Sequence, residues 1–206
     1  MESFCRRFHI PRRPALTWWR TPLSAPHPLP LDDTDASLLA RWRQGDEQAF
    51  ASLFERYRGR AMGYALRMLR RRELAEEVCT DTWCAVLEGR YRPTGAFRGF
   101  LFTVLHRHCL QLLRRQQTRR RLSFKLFRRP EPPRAEAELA EADEHARLHR
   151  ALDSLPDEQR SVLLLYYAQE LPSREVAQIL GCTDQQVRSR LSYARRKLRL
   201  SLESAP

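Results

Sequence analysis

The chain has 206 residues, of which 42% are hydrophobic, 30% are charged and only seven are glycine. Its 37 lysines and arginines exceed its 25 aspartates and glutamates, giving a net charge of +12 and a pI near 10.3. This excess indicates an anionic partner, with nucleic acid as the first candidate and a membrane surface as the second. No apolar run approaches the ~20 residues that span a bilayer, and the N-terminal residues lack the apolar stretch of a secretory signal. We therefore expect a cytoplasmic protein without membrane insertion.

Cysteine usage and motif content argue against an enzyme. The five cysteines are scattered and never form a CxxC pair, which is typical of reduced thiols in a cytosolic protein. The sequence has no glycine-rich phosphate loop, nucleophile motif or metal-ligand spacing. His106 and His108 lie two residues apart, which on a helix directs them to different faces. We expect no catalytic residues, no metal and no cofactor.

The predicted helices begin after an N-terminal segment of unusual amino-acid composition. Residues 1–31 are rich in proline and arginine without a sustained period, which predicts a disordered extension. A helical domain is predicted over residues 32–115. Its first apolar positions, between Leu39 and Tyr57, recur mostly every three or four residues and are interrupted at Gly45. A further helix is predicted from about Gly59 to Leu69.

The next predicted helix runs from about Glu73 to Glu88 and has an acidic face. It buries apolar residues such as Trp83 and exposes Glu76, Glu77 and Asp81. These acids are either an ordinary solvated face or a docking surface for a basic partner. A loop containing Gly89, Pro93 and Gly95 leads to the last helix of this domain. The residues predicted to share one face of that helix are Phe97, Leu101, Val104, His108 and Leu112.

The composition changes abruptly over residues 116–146. Basic residues dominate up to Arg134, a PEPP sequence interrupts any helix, and an acidic stretch follows from Glu136 to Glu144. Opposite charge blocks around a proline break are typical of a flexible interdomain linker. The linker is either a tether without contacts of its own or a segment with a function.

A second helical domain is predicted over residues 147–202, ending in a helix-turn-helix pattern. Gly181 marks the end of one short helix, and Thr183 with Gln186 forms the capping box of the next. The outward face of this second helix carries polar and basic side chains of the kind that read base edges and hold phosphates in a major groove. These residues are Gln185, Gln186, Arg188, Ser189, Arg190, Arg195 and Arg196. The alternative is a helical hairpin with a solvated basic face.

Several segments together resemble a bacterial RNA polymerase sigma factor of the extracytoplasmic-function type. GDEQAFASLFERY, AEEVCTDTWCAVL and FRGFLFTVLHRHCLQLLRR resemble the family's region two, and LDSLPDEQRSVLLLYY with SREVAQILGCTDQQVRSRLSYARRKLR resembles region four. The resemblance covers about two thirds of the chain, from roughly Asp35 to Arg115 and from Arg147 to Leu200. It implies an all-α protein of two small domains, a region-two bundle and a region-four helix-turn-helix, joined by a flexible linker.

The resemblance also implies partners and roles. Core RNA polymerase would be bound through its beta-prime clamp and beta flap, with Glu76, Glu77 and Asp81 meeting the clamp. Residues implied to bind the minus-10 element are Tyr91, Arg92, Phe97, Arg98 and Arg107, although Phe97 could equally be a core residue. The seven outward residues of the last helix would read the minus-35 element. An anti-sigma factor is a further candidate partner.

Some positions depart from the family pattern. His106 and Arg107 stand where an Arg-Asn pair is usual, Gln111 replaces a common aspartate, and Tyr193 replaces a frequent arginine. The sequence leaves two other functions open: a different helix-turn-helix regulator, which would leave the acidic helix and FRGFLF unexplained, and a basic RNA-binding protein. Binding to core polymerase distinguishes the sigma factor from both.

Overall fold

The computed structural model describes residues 34–88, 96–126, 148 and 150–203, with the side chains of 120–126 and 203 excepted. The predicted N-terminal extension, the loop that includes Tyr91 and Arg92, and most of the predicted linker lie outside the described residues. All regular structure in the described ranges is helical, so the expected all-α fold is confirmed.

Four helices form what we call the N-terminal bundle: α1 (Asp35–Arg43), α2 (Glu47–Leu69), α3 (Arg72–Leu87) and α4 (Phe97–Leu126). Gly45 ends the α1–α2 turn with a φ of 95°, a conformation that suits glycine. Asp46 then caps α2, because its carboxylate accepts hydrogen bonds from the backbone N–H groups of Gln48 and Ala49. The helix continues without interruption through Gly59, so the separate helix predicted to start there is part of α2.

An aromatic cluster holds the N-terminal bundle together. Trp83 of α3 is buried and packs edge-on against Phe50 and Phe54 of α2, with ring centroids 6.0 and 4.9 Å away. Phe97 of α4 stacks on the other side of Trp83 at 6.4 Å. Aromatic pairs of this kind add about 0.5–1.5 kcal/mol each to the area that they bury. The cluster therefore fixes α4 against α2 and α3 at the point where α4 begins.

The last helix of the N-terminal bundle is longer than predicted. It continues to Leu126, through the first part of the segment expected to be linker. A helix of 30 residues is about 45 Å long, so its second half extends beyond the packed part of the bundle.

A C-terminal bundle is formed by residues 150–203. A helical turn at 150–153 precedes α5 (Asp157–Leu163), which widens into a π-helical turn (Leu164–Ala168). Helices α6 (Ser173–Leu180) and α7 (Asp184–Glu203) follow and form the predicted helix-turn-helix. Gly181 ends α6 with a left-handed φ of 64°. Side chains of both bundles join one continuous apolar cluster, in which α6 packs on α4 and α5 packs near the end of α2.

Candidate functional site

An acidic stripe runs along the exposed face of α3. Glu77, Asp81 and Glu88 all line a groove of ≈ 340 Å³ between α3 and α4. Their spacing of four and seven residues returns to the same helical face, which explains why they line up. Glu88 was not among the predicted residues, although this spacing alone could have identified it. The groove offers these carboxylates to a basic partner, and its opposite side is formed by α4, including Gln111 and Arg115.

Glu76 does not belong to that stripe, and the expectation that it is exposed is wrong. Its side chain is only 7% exposed and pairs with Arg72, whose Nε lies 3.0 Å from Oε1. Glu76 lies about 100° around the helix from Glu77, which here turns its side chain toward the bundle while Glu77 is exposed. Glu76 faces the bundle, where its charge is compensated within α3.

The resemblance implies that the start of α4 binds the minus-10 element. Phe97 is 1% exposed and contacts Trp83 and Tyr57, so the alternative of a core residue is the correct one and no face of its ring is open to a base. Arg98 is half-buried, and its Nη2 lies 3.4 Å from Oε2 of Glu175 on α6. Tyr91 and Arg92 lie outside the described residues.

Beyond that point α4 presents a basic stripe. Arg107 is exposed and lines a groove of ≈ 650 Å³ together with side chains one, two and three turns further on. The other lining residues are Leu110, Gln111, Arg114, Arg115, Thr118 and Arg119. Four arginines on one helical face suit the phosphates of a nucleic acid. The prediction placed Arg119 and Thr118 in a linker because it followed charge blocks rather than the helical period, which continues through them.

His106, the neighbour of Arg107, faces inward. It is buried, and its Nδ1 lies 2.9 Å from the Tyr64 hydroxyl of α2. Burial, helped by the positive charges of Arg107 and Arg114, lowers the pKa of His106 to about 4. The ring is therefore neutral at physiological pH and contributes to packing between α2 and α4 rather than to a nucleic-acid surface.

Helix α7 begins with the predicted capping box. The Thr183 N–H donates to Oε1 of Gln186 at 2.9 Å, and the Gln186 N–H donates to the Thr183 hydroxyl at 3.2 Å. Val187 and Leu191 are buried and fix the rotation of the helix. Because Gln186 is used in the cap, the exposed side chains that remain between Asp184 and Ser192 are Gln185, Arg188, Ser189 and, unpredicted, Ser192. They lie at helical spacing on one exposed face.

The arginines of α7 differ in their surroundings. Arg188 is 68% exposed and pairs with Asp184 one turn earlier at 2.9 Å. Arg190 is half-buried and pairs with Glu158 of α5 at 3.0 Å, so it faces away from the outward stripe. Further along, Arg195 lies over the Tyr167 ring and Arg196 over the Tyr193 ring, at 5.8 and 5.5 Å from the ring centres. These rings hold exposed guanidinium groups in defined positions.

No group of His, Cys, Asp and Glu side chains in the described ranges could hold a metal ion. Within the same ranges, no helix is both long and apolar enough to cross a bilayer.

Comparisons with known proteins match both bundles. The sigma-70 region 2 model matches residues 53–119, which include α3 and the first part of α4, and the sigma-70 region 4 model matches residues 145–198, which include the helix-turn-helix. Among solved structures, CnrH in complex with the cytosolic domain of CnrY superposes with a TM-score of 0.64 at 25% identity, covering 84% of this chain and all of that one. The sigma factor RpoE of Bartonella quintana, solved with the anti-sigma factor NepR, shares the fold at 21% identity and a TM-score of 0.62, covering 76% of this chain and 98% of that one.

Curated relatives match along most of their length. The ECF RNA polymerase sigma factor SigK of Mycolicibacterium vanbaalenii is 30% identical over 181 residues, covering 85% of this chain and 92% of the relative. The sigma factor CarQ of Myxococcus xanthus is 28% identical over 165 residues, covering 78% of this chain and 93% of the relative. This chain therefore belongs to the sigma-70 family in its ECF group, and is a sigma factor that binds core RNA polymerase and directs promoter-specific initiation of transcription.

Proposed function

We propose that the acidic stripe of α3 is the surface that meets the beta-prime clamp, that Arg98 and the basic stripe of α4 hold the minus-10 region, and that the outward face of α7 reads the minus-35 element. The observation that carries this proposal is the segregation of charge. Carboxylates gather on one face of α3, whereas arginines gather on α4 and α7, with Arg115 on the border between the acidic and the basic groove, although the chain as a whole is strongly basic. In this role the protein acts in the cytoplasm and has no catalysis of its own.

The acidic stripe is the part of the proposal most directly tested by charge reversal. We expect Glu77→Lys and Asp81→Lys each to weaken binding to core polymerase by about tenfold or more, because each replaces attraction by repulsion. Glu158→Lys is the matched control, since it makes the same charge change on an exposed residue of the other bundle. Fluorescence anisotropy of labelled chain with core enzyme measures the affinity. If Glu77→Lys and Asp81→Lys bind core polymerase as tightly as Glu158→Lys does, the stripe is excluded as the docking site.

Recognition of the minus-35 element is proposed for the N-terminal half of α7. That half is the end which a recognition helix presents to base edges. Arg188 stands in the middle of the outward stripe, so Arg188→Ala should weaken binding by about 1–3 kcal/mol and relax the preference at one or two base positions. Arg196 lies two turns further on and is held over Tyr193, which suits a phosphate contact. Arg196→Ala should weaken all sequences alike and reduce the salt slope by about one.

An assay on holoenzyme separates these outcomes. Each variant is assembled with core polymerase and tested on a panel of minus-35 point substitutions. If Arg188→Ala keeps the full sequence preference while Arg196→Ala alters it, the proposed placement of α7 on DNA is wrong.

We also propose an anti-sigma factor as a regulatory partner, supported by the RpoE relative solved with NepR. A tagged chain expressed in its own host should then retain a stoichiometric protein other than polymerase subunits. Recovery of polymerase subunits alone would contradict this part.

A further inference from the structure

The first turn of α7 contains an ion pair that lies entirely within this helix. Asp184 begins the helix and Arg188 follows one turn later, so both side chains lie on the same face. The Oδ2 atom of Asp184 lies 2.9 Å from Nη2 of Arg188. The carboxylate is half-buried at the start of the helix, whereas the guanidinium is exposed. The acid therefore anchors the arginine from the protein side and leaves its outer edge open.

Asp184 and Arg188 fix each other and move as one unit with α7. Within the residues that the structure describes, no donor reaches the other carboxylate oxygen, Oδ1, so Arg188 is the group that orients the Asp184 side chain. Arg190 provides the contrast, because its partner is Glu158 on α5, 3.0 Å away. The Asp184–Arg188 pair does not tie α7 to another helix, and α7 carries it unchanged to any surface that it meets.

The pair contributes little to the stability of α7. Ion pairs between exposed side chains four residues apart stabilise a helix only weakly, and salt screens them. Val187 and Leu191 already hold the helix in place through the apolar core. The effect of the pair is conformational, because an arginine has many rotamers and loses most of them when it binds a base. Asp184 imposes part of that restriction before DNA arrives.

The restricted guanidinium retains the donors that a guanine requires. Arginine has five N–H donors in a planar fork, and the contact with Asp184 is made at Nη2. The remaining donors include a pair that matches the O6 and N7 acceptors of guanine in the major groove. Because Asp184 stands at the N-terminal end of α7, it draws the guanidinium toward the end that a recognition helix presents to bases.

The same carboxylate opposes the binding of DNA in general. A negative charge beside the outward stripe is repelled by the phosphates of every sequence alike. A group that lowers the affinity for all sequences and strengthens one base contact increases the difference between the correct and the incorrect sequence. This combination separates a specificity determinant from a residue that only supports the helix, since loss of the helix weakens the binding of all sequences.

We propose that Asp184 is a positioning residue for minus-35 recognition, which holds the Arg188 fork toward a guanine and thereby selects that base. The inference rests on the proposed role of α7 at the minus-35 element. Asp184→Asn keeps the size of the side chain and removes its charge. It should lower the preference for guanine at the position that Arg188 reads by about two- to tenfold, while raising the affinity for sequences that lack that guanine.

Two variants and a second background isolate the positioning role. Asp184→Glu retains a carboxylate within reach of Arg188 and should retain the preference. Glu158→Gln is the matched control, because it removes the same charge from the partner of another α7 arginine and should leave the preference unchanged. In an Arg188→Ala background, Asp184→Asn should have no effect on base preference, since the side chain that it positions is absent.

Holoenzyme assembled from core polymerase and each full-length variant is incubated with promoter fragments randomised across the minus-35 region, and the bound fragments are sequenced. If Asp184→Asn has the same preference as the unaltered chain, or loses affinity equally on all sequences, the positioning role is overturned. A change in preference that persists without Arg188 also overturns it, because Asp184 would then act on the bases itself. Arg188→Ala distinguishes these results from failure of the proposed function, since a guanine preference that survives this substitution means that Arg188 does not read the element.

Discussion

Titration of His106 should make the N-terminal bundle sensitive to mild acid. The ring is buried against Tyr64, and its pKa is lowered from 6.5 to about 4. Between these two values the unfolded chain binds a proton at His106 that the folded chain does not. The free energy of unfolding therefore rises with pH across this window. The stabilisation contributed by the neutral ring is lost as the pH falls through the same window. Below about pH 4 both states are protonated and the contribution no longer changes.

The size of the effect follows from the two pKa values. The full shift corresponds to roughly 3 kcal/mol, of which about 2 kcal/mol is lost between about pH 7.5 and pH 5. With a urea dependence of about 2 kcal/mol per molar, the midpoint of unfolding should fall by about 1 M over that range. The remaining ionisable groups are common to both proteins, so the prediction concerns the difference between the unaltered chain and a His106→Leu variant.

Tryptophan fluorescence during urea unfolding is the appropriate assay. The tryptophans of the chain are Trp18, Trp19, Trp42 and Trp83, so none lies in the C-terminal bundle and the buried Trp83 reports on the domain that contains His106. The His106→Leu variant should be less stable at pH 7.5, because the buried Tyr64 hydroxyl loses its partner, but its midpoint should change less with pH. Tyr64→Phe is the control, since it removes the hydrogen bond to His106 but keeps the buried His106 ring. If the His106→Leu midpoint falls by as much as that of the unaltered chain, the assignment of the pH dependence to His106 is refuted.

Two further predictions concern the packing of α4 and the start of α7. Phe97→Ala should lower the free energy of unfolding by about 3–5 kcal/mol, because it leaves a cavity beside Trp83. A loss below about 1 kcal/mol in the same fluorescence assay would contradict the place of Phe97 in the core. Thr183→Ala should destabilise the C-terminal bundle by about 1 kcal/mol by removing the cap of α7, as measured by circular dichroism, and should weaken minus-35 binding to a similar extent. Thr183→Ser keeps the capping hydroxyl and should keep both properties.

The sequence predicted those features that depend on local periodicity. The capping box at Thr183 and the stop at Gly181 are confirmed, because both are set by interactions within a few residues. The exposure of Glu76 was predicted wrongly, because three acids were grouped by composition although adjacent helical positions face different directions. The pairing of Arg98 with Glu175 was not predictable from either segment alone, since it joins residues 77 positions apart across the two bundles.

The inward position of His106 also limits which residues can set the minus-10 preference. The resemblance implies a pair of polar residues at this position and the next, but in this chain only Arg107 faces outward. One turn further on, Gln111 is exposed on the same face and lies in both the acidic and the basic groove. A glutamine there removes the negative charge that the family's aspartate would place among Arg107, Arg114 and Arg115, so the stripe is more uniformly basic than the family pattern. The minus-10 contact of this sigma factor should accordingly depend more on phosphates, with a steeper dependence on salt, and less on a base read by residue 106.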